Sequence, residues 1–548
     1  MNQQRSKKFL IVQLARTGDL LQTLAAARAF KQNHPEIELS LLARYKYSSP
    51  IEEILSTTFI RVFNLDKRKV LKGNNVEEII ANVDDFINVL NAQQFDVVLN
   101  FSICKTSSYI CTLLKTQNKL GSYFSNRHEF IQHDILTQYV SSFVLNSSVN
   151  AINLAEIWAS MLGDYKFSNP TPNRIMQTNK ILIHPFASQK RKFWKSGKWV
   201  EIIYSILKAN DKVSIDICGS KEEEEDALAM SNDPLLSKFK NRIIVLAGKI
   251  SVADLYKKMD DYKVFIGHDS MVSHLASLKG VDSITIPLGS VRPHETFPLT
   301  TGSLVLSPKV SCFPCYATQK CEDFSCHTDI SHQLVAELTI RKLNSDPIDI
   351  ESIAQKIGQY HISSSNIYIV QLSSDGHFQL YPIAERLNTK AVMRDIYHIL
   401  WSFKLFEASP SINLPRLGQQ QINDIQRVKA NIQYLFELAE FGKKYCSYIL
   451  QELNSSSPRI DNINAYSSKI DEIDKLSKSI SEGCIELSPL INFYEHQKAN
   501  SKGTSIVEIT ESTYLIYNDL SISCSVINEL IDKINVSSGK TRQTHQGR

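Results

Sequence analysis

Four short polar segments, each directly after an apolar run, carry the residue types in this chain that could do chemistry. The first is ARTGD, residues 15–19, which follows the run FLIVQL. Its glycine allows a tight turn that sets Asp19 at the mouth of a cleft, where a carboxylate can take a proton from a hydroxyl. An aspartate at this place can equally cap the helix that follows, so its position alone leaves both roles open.

The second segment is basic. In HPFASQKRKFW, three cations lie just beyond the strand pattern KILI, where the anionic groups of a ligand would lie: Lys190, Arg191 and Lys192. The alternative is a solvated surface loop, which is the usual fate of such runs. Ser188 and Trp194 in the same segment favour a ligand site, because a large aromatic side chain is seldom placed on a solvated loop.

The third segment, ICGSKEEEED, residues 217–226, places acids after a strand-end glycine. Nucleotide-binding folds hold ribose hydroxyls with an acid close to such a strand end. Glu222 is therefore the candidate, with Gly219 at the turn and Glu223 as the second choice. Glutamates in the first turn of a helix are also expected from the helix dipole alone.

The fourth segment is FIGHDSMVSHLASLKG, residues 265–280. Asp269 and Ser270 fall at a predicted helix start, where free backbone N–H groups and a partial positive charge bind phosphate. His274 follows one turn later on the same helix face and could donate to a phosphate oxygen. The alternatives are an ordinary helix cap and a histidine that is simply packed.

Four of the ten cysteines are bunched in SCFPCYATQKCEDFSC, at Cys312, Cys315, Cys321 and Cys326. Four thiols within fifteen residues can reach one tetrahedral ion, and a C-x2-C start is typical of zinc or iron sites. The later spacing is not that of a standard zinc finger, so a structural metal and four free thiols both stay open. The other six cysteines are scattered, which is typical of buried thiols in a reducing compartment.

The elements that must position these segments alternate in the first 340 residues. Short β-branched runs and amphipathic helical patterns follow one another, which is typical of a parallel α/β architecture. The pattern restarts after a polar join at residues 165–178, where KILIHPF, KVSIDIC, RIIVLAG, KVFIGHD and DSITIPLG are strand candidates. The sequence therefore predicts two Rossmann-like domains, residues 1–170 and 176–345, with ligands bound in the cleft at the carboxyl ends of the strands.

The remainder of the chain has a different composition. NIYIVQLSSDGHFQLYPI predicts a hairpin turning at residues 374–376, and long amphipathic patterns follow it. Apolar residues at three- and four-residue spacing favour packed helices over a cofactor site. We therefore expect a hairpin plus helical domain over residues 350–536 and a disordered polar tail over residues 537–548.

Overall composition excludes some classes of function. The 548 residues carry a net charge of +4 against 118 charged side chains, so no overall field favours nucleic acid. The first apolar run has six residues and none reaches 18, too few for a secretory or membrane-spanning segment. We expect a cytoplasmic protein, and the sequence leaves room for peripheral contact with an inner membrane and for a homo-oligomer.

Taken together and in this order, the segments resemble glycosyltransferase family 9, the ADP-heptose heptosyltransferases of bacterial lipopolysaccharide and protein glycosylation. FLIVQLARTGDLLQTLAAARAFKQNHP is similar to that family's opening strand, Gly-Asp turn and first helix. KFW after HPFAS is similar to its Lys-x-Trp segment, and GHDSMVSHLASLKG is similar to its D-[ST]-G-x-x-H-L-A signature. The resemblance covers about residues 8–342.

The resemblance implies a GT-B fold of class α/β, with two facing Rossmann-like domains and a helical C-terminal domain added here. It implies inverting transfer of a sugar, a heptose, from an ADP-heptose-like donor to a lipopolysaccharide or protein hydroxyl, without a catalytic metal. Carried over by position, Asp19 is the general base and Lys192 contacts the donor phosphates. The implied donor-binding residues are Thr17, Gly18, Ser188, Lys192, Gly219, Glu222, Asp269, Ser270 and His274. Iron held by the cysteines is known in some protein heptosyltransferases of this kind.

Three residues depart from the family pattern. Met271 and Val272 stand where the family has small residues, and Phe186 stands where it has glycine. Bulkier side chains at these places are expected to crowd the donor site and alter the sugar or nucleotide. Two other functions stay open: an interaction protein that binds a nucleotide sugar without transferring it, and a GT-B epimerase, which would need further catalytic acids.

Overall fold

The computed structural model describes residues 6–144, 149–169, 179–316, 320–385, 387–408, 417–501 and 503–534. The polar tail predicted at residues 537–548 lies outside these residues, as does much of the join predicted at 165–178. Within the described ranges, no helix is both long enough and apolar enough to cross a bilayer.

The strands are β1 Lys8–Gln13, β2 Glu38–Arg44, β3 Arg61–Leu65, β4 Val97–Asn100, β5 Asn118–Gly121, β6 Tyr123–Phe124, β7 Phe130–Ile131, β8 Lys180–His184, β9 Ser214–Ile217, β10 Ile243–Val245, β11 Val264–His268, β12 Asp282–Ile286, β13 Leu304–Pro308, β14 Ser365–Leu372 and β15 Phe378–Ala384. The helices are α1 Thr17–Asn33, α2 Tyr45–Ser48, α3 Glu52–Leu55, α4 Lys67–Val70, α5 Val76–Asn91, α6 Lys105–Leu113, α7 Ile135–Tyr139, α8 Leu154–Leu162, α9 Ser196–Ala209, α10 Glu224–Ser231, α11 Val252–Lys258, α12 Met271–Leu278, α13 Pro293–Thr296, α14 Cys326–Asp329, α15 His332–Asn344, α16 Ile350–Ile357, α17 Gln359–Ser363, α18 Thr389–Phe406, α19 Gln419–Leu453, α20 Ile460–Gly483, α21 Ser488–Ala499 and α22 Ile506–Asp532.

The chain divides into two compact units that are not continuous in sequence. The first contains residues 1–96 and 153–386, and the second contains residues 97–152 and 387–541. The α/β class with Rossmann-like parallel sheets and a helical C-terminal region is confirmed. The domain boundaries predicted at residues 170, 176 and 345 stay predictions. Each compact unit combines segments that are far apart in the chain, so the units do not correspond to the predicted domains.

The first unit begins with a parallel β–α–β pattern. Strand β1 pairs in parallel with β2, and β2 pairs in parallel with β3. The apolar run FLIVQL becomes β1 and ends buried, with Leu10, Ile11 and Val12 fully inside. A strand that is buried on both faces needs apolar residues at successive positions, which is why polar and apolar residues do not alternate in this segment.

The same unit contains a larger sheet with the order β10-β9-β8-β11-β12-β13-β14-β15. The five strand predictions between residues 180 and 288 are confirmed, and each adjacent pair from β10 to β13 is parallel. Strand order reverses between β8 and β11, whose last paired residues are His184 and Gly267. A crevice at the carboxyl ends of strands forms at such a reversal, and both the basic segment and the Asp269-Ser270 segment follow these two strands.

The predicted hairpin is confirmed but extends this larger sheet. Strand β14 pairs antiparallel with β13, and β15 pairs antiparallel with β14 around a turn in which Gly376 has φ +88°. The hairpin turn also contacts the residues before the join, since the Phe167 N–H donates to the Gly376 carbonyl. Antiparallel strands can be joined by a tight turn, and such a turn joins β14 to β15.

The long helices of the second unit pack with a coiled-coil spacing. The buried residues of α19 recur at alternating intervals of three and four along most of the helix: Ile425, Val428, Ile432, Leu435, Ala439, Gly442, Cys446 and Ile449. Helix α22 buries a matching series: Thr510, Tyr517, Leu520, Cys524, Ile527 and Ile531. This spacing keeps one apolar seam facing the neighbouring helix over many turns.

An aromatic cluster joins the two sequence segments of this second unit. The ring of Trp401 in α18 lies 5.2 Å from the ring of Tyr139, 5.0 Å from that of Phe143 and 4.5 Å from that of Phe493. All four rings are buried. Edge-to-face aromatic pairs add stability beyond the area they bury, which accounts for residues 97–152 packing with the C-terminal helices.

Gly442 provides a test of the helical seam. A Cβ at residue 442 would lie 2.7 Å from ring atoms of Tyr517, whereas a Cβ at Gly483, in α20, would meet nothing within 4 Å. Alanine is intrinsically better than glycine in a helix by about 1 kcal/mol, but overpacking costs about 1 to 3 kcal/mol. We expect Gly442→Ala to lower the free energy of unfolding in a denaturant titration and Gly483→Ala to leave it equal or higher. Equal effects of the two substitutions on the free energy of unfolding would contradict the close packing of Gly442 against Tyr517.

Glu156 provides a second test, in the first unit. It is buried in α8, where one carboxylate oxygen accepts the Phe378 N–H at 2.6 Å and lies 3.8 Å from Nδ1 of His377. Burial raises the pKa of Glu156 to about 8. The folded protein thus holds a proton that the unfolded chain releases near pH 4.5, so stability falls as pH rises from about 4.5 to about 8.

Glu156→Gln should remove this loss. Glutamine mimics the protonated acid and can still accept the Phe378 N–H. We expect the variant to gain on the order of 5 kcal/mol over the wild type above pH 8 and little at pH 5, measured as thermal midpoints across this range. Parallel midpoint curves for the two proteins would contradict the assignment.

Candidate functional site

The candidate site lies at the carboxyl ends of β8 and β11, in the first unit. His184 ends β8, and its Nδ1 lies 3.0 Å from the Ser270 hydroxyl oxygen. Ser270 precedes the first residue of α12, as predicted for a helix cap. Burial lowers the pKa of His184 to about 4, so the ring is neutral at neutral pH. This contact ties the two strand ends together beneath the start of α12.

Asp269 and His274 lie together at the same end of α12. Asp269 accepts a hydrogen bond from the Thr296 hydroxyl at 2.9 Å, and its other oxygen is 3.8 Å from Nε2 of His274. Burial lowers the pKa of His274, while the charges of Asp269 and Asp19 oppose that shift. The histidine therefore faces two carboxylates while it is itself buried.

Asp19 takes the capping role, one of the two that its position left open. One carboxylate oxygen accepts the backbone N–H of Arg16 at 3.0 Å, which caps the first turn of α1. Burial raises the pKa of Asp19 above its ordinary value, against the lowering effects of the Arg16 N–H and the charge of His274. A capping carboxylate thus lies beside the Asp269 and His274 pair.

Gly18 lies against the His274 ring. A Cβ at residue 18 would lie 3.4 Å from Cδ2 and 3.6 Å from Nε2 of His274, which is ordinary van der Waals contact, so the start of α1 packs directly against α12. Thr17, its neighbour, donates its hydroxyl to the Tyr47 carbonyl at 3.1 Å and so fastens the turn to α2.

Lys192 completes the group from the basic segment. It ends a short 3-10 helix, Lys190–Lys192, in the loop after β8. Burial lowers the pKa of Lys192; the charges of Asp269 and Asp19 raise it, and those of Arg16 and Arg191 lower it further. Two carboxylates and three cations therefore act on one another at this place.

Trp194 and His268 hold the basic loop against the sheet. The Trp194 backbone N–H donates to Nε2 of His268 at 3.0 Å, and Nδ1 of His268 is 3.0 Å from the Ile286 carbonyl oxygen. That carbonyl can only accept, so Nδ1 carries the hydrogen. Burial lowers the pKa of His268 to about 3, which keeps the ring neutral and its Nε2 free to accept. The sequence predicted that Trp194 would not lie on a solvated loop, and its side chain is buried in the core.

The acids of the third segment separate into two environments. Glu222 is exposed, and its pKa is lowered by its own backbone N–H and by the Ser220 hydroxyl. Glu223 is partly buried and accepts the Ser220 N–H at 2.7 Å. A Cβ at Gly219 would lie 3.1 Å from a carboxylate oxygen of Glu223, so the second choice is the acid nearer the strand end.

The three departures from the family pattern are not alike in the structure. Phe186 is 5 % exposed and Val272 is 3 % exposed, and both side chains pack into the core. Met271 is partly exposed at the start of α12. Met271 alone of the three is partly exposed, whereas the Phe186 ring packs against Gly219, where a Cβ would lie 3.0 Å from Cε2 of the ring.

The cysteine segment lies near the same loop. Cys315 donates its backbone N–H to the Gly289 carbonyl at 2.9 Å, and Cys321 Sγ accepts the Phe324 N–H at 3.4 Å. Burial and the neighbouring thiols raise the pKa of Cys315, and burial raises that of Cys326 to about 11. In the described residues, no three His, Cys, Asp or Glu side chains are arranged to hold a metal ion. The thiols are close neighbours, but as arranged they do not form a metal centre.

Sequence reasoning missed several residues that the structure places at or beside the site. Arg16 donates to the Ser188 hydroxyl at 3.4 Å, and Thr296 and His184 contact Asp269 and Ser270. Arg16 could have been found from the sequence, because it lies in the same ARTGD segment as Asp19. Thr296 lies 27 residues from Asp269, and no local pattern connects them.

The sequence of this chain is similar to that of known glycosyltransferases. Residues 83–324 match the family model for glycosyltransferase family 9 (heptosyltransferase). A lipopolysaccharide heptosyltransferase 3 of Escherichia coli is 23 % identical over 282 residues, which cover 49 % of this chain and 80 % of that protein.

Two solved structures align over much of the chain. The glycosyl transferase family 9 protein of Veillonella parvula DSM 2008 aligns at 12 % identity over 63 % of this chain and 99 % of its own, with a TM-score of 0.46. The ADP-heptose lps heptosyltransferase II of E. coli aligns at 14 % identity over 62 % and 99 %, with a TM-score of 0.45. On these sequence matches, this chain is a glycosyltransferase that is similar to the heptosyltransferases of family 9.

Proposed function

We propose that this protein transfers a heptose from a nucleoside diphosphate donor of the ADP-heptose type to a hydroxyl of an acceptor, with inversion at the anomeric carbon. The observation that carries the proposal is the meeting of Asp19, from α1, with Lys192, Asp269 and His274, at the ends of β8 and β11. A base and a cation beside a helix start are the parts that such a transfer needs.

Asp19 acts as the general base. Its carboxylate takes the proton of the acceptor hydroxyl as the oxygen attacks the anomeric carbon, on the face opposite the leaving diphosphate. The raised pKa of Asp19 makes it a stronger base than an ordinary carboxylate. The Arg16 N–H orients this carboxylate by donating to one of its oxygens.

Lys192 and the start of α12 stabilise the leaving group. Negative charge grows on the diphosphate as the glycosidic bond breaks, and preorganised cations and backbone N–H groups stabilise such charge most effectively. Ser270 and the amides that follow it supply those groups, and His274 lies on the same face. For the ribose, Glu223 is the better-placed acid beside Gly219, with Glu222 as the exposed alternative.

The proposed acceptor is the lipopolysaccharide core, by analogy with the E. coli lipopolysaccharide heptosyltransferase 3 that the chain resembles. A protein acceptor is the alternative, and the helical second unit, which lies largely outside the family match, is the place to look for it. Contact with the inner membrane from the cytoplasm, and assembly into a homo-oligomer, belong to the same proposal.

Asp19→Asn tests the proposal. Asparagine keeps an oxygen that can accept the Arg16 N–H, so the helix cap is retained while the base is lost. We expect transfer from ADP-heptose to a lipopolysaccharide core acceptor to fall by about 100-fold to 10,000-fold, with ADP binding unchanged. Asp349→Asn, which alters a helix cap on α16, is the matched control and should leave the rate unchanged.

The pH profile gives a second measurement on the same enzyme. The base works only when deprotonated, so the rate of the wild type should rise with pH through the pKa of Asp19, which burial raises above the ordinary value of an aspartate. That rise should be absent in Asp19→Asn. If Asp19→Asn kept more than half of the wild-type transfer rate, Asp19 would not be the general base.

Removal of metal should leave catalysis intact. Lys192 and the α12 amides supply the positive charge that a divalent ion supplies elsewhere, so we expect EDTA to change the transfer rate by less than about twofold. A tenfold loss that Mg²⁺ restores would contradict this.

Elemental analysis of the same preparation tests the cysteine segment. One iron or zinc per chain, lost in Cys315→Ser, would establish a structural ion there. The transfer rate of that variant then reports whether the ion affects the neighbouring loop.

A further inference from the structure

Arg16 connects the proposed base to the loop that follows β8. Its backbone N–H donates to the Asp19 carboxylate at 3.0 Å, and its guanidinium donates to the Ser188 hydroxyl at 3.4 Å. Ser188 lies in the segment that ends at Lys192. One residue therefore touches the base through its main chain and the loop of the larger sheet through its side chain.

The charges around Arg16 favour an anion. Its positive charge lowers the pKa of both Asp19 and Lys192, which places it close to each of them. The charge of Arg191 also lowers the pKa of Lys192. The three cations Arg16, Arg191 and Lys192 therefore lie near two carboxylates, Asp19 and Asp269. The excess of positive charge lies beside the α12 amides, and a ligand with two or more negative charges would relieve the repulsion between the cations.

The guanidinium is available for such a ligand. Its contact with Ser188 is long for a hydrogen bond, and a guanidinium carries five N–H donors. Arginine binds phosphate through two parallel hydrogen bonds, which a single hydroxyl cannot match. A phosphate oxygen can thus replace the Ser188 contact without leaving a buried group unpaired, since Arg16 is exposed.

We propose that Arg16 is a ligand of the donor diphosphate, delivered by the start of α1, and that this contact aligns the bound donor with Asp19. The proposal rests on the function proposed above. Lys192 holds the diphosphate from the larger sheet, and Arg16 holds it from the turn that carries the base. Because the Arg16 N–H already holds the Asp19 carboxylate within one helical turn, a donor held by the Arg16 guanidinium is placed next to the base.

The direct test is the binding of ADP, inorganic pyrophosphate and adenosine, measured by titration calorimetry on the full chain. We expect Arg16→Ala to weaken ADP and pyrophosphate by about 10-fold to 100-fold and to leave adenosine unchanged, since adenosine carries no phosphate. Arg16→Lys should recover part of the affinity, because it restores the charge without the paired hydrogen bonds. Arg28→Gln is the matched control, a cation on the same helix whose guanidinium donates to the hydroxyls of Thr57, Thr58 and Tyr256.

The turnover of Arg16→Ala tests the alignment of the base. We expect a lower kcat at saturating donor, and a rise of the pH profile at higher pH than in the wild type, because the Arg16 charge that lowers the pKa of Asp19 is gone. A loss confined to KM, with kcat and pH profile unchanged, would overturn the coupling. If Arg16→Ala unfolds, Arg16→Lys supplies the same measurements.

The outcomes separate this proposal from the one it rests on. If the wild type binds ADP and transfers sugar but Arg16→Ala binds ADP and pyrophosphate as tightly, Arg16 is no diphosphate ligand and the proposed function stands. An equal loss of adenosine binding would assign Arg16 a structural role and also overturn the inference. If the wild type binds neither ADP nor pyrophosphate, the proposed function fails, and this inference fails with it.

Discussion

The packing of the start of α1 against His274 of α12 is the contact on which the candidate site depends. Gly18 lies against the His274 ring, at a separation that a Cβ would fill with ordinary van der Waals contact at 3.4 Å. Asp19 follows directly, so the same packing brings its carboxylate within electrostatic range of His274.

Around this contact, the positively charged side chains are lysine and arginine, which stay charged at neutral pH. Burial lowers the pKa of His184, His268 and His274, so these rings bind neighbours as neutral groups. The lasting positive charge comes from lysine and arginine. A phosphate site built this way does not lose its charge between pH 6 and 8, whereas one that relied on ordinary histidines would.

The second unit is held by different forces. Its long helices meet along a heptad seam, with Gly442 accepting the ring of Tyr517, and an aromatic cluster around Trp401 ties residues 97–152 to the C-terminal helices. Segments far apart in the chain thus share one core. The family match, residues 83–324, includes residues 97–152, so the helices after residue 387 share a compact unit with a segment that lies within the match.

Much of this protein was determined by local sequence. Apolar runs ending in glycine and polar residues predicted β8, β11 and the helix starts after them, because strand burial and helix capping act over a few residues. The heptad spacing of α19 likewise followed from its own side chains. Only the tertiary structure decided that Glu223 lies nearer the strand end than Glu222, that Phe186 packs inward, and that Arg16 and Thr296 contact the site residues. Those outcomes depend on which surfaces meet across long separations in the chain, and a local pattern carries no information about its distant neighbour.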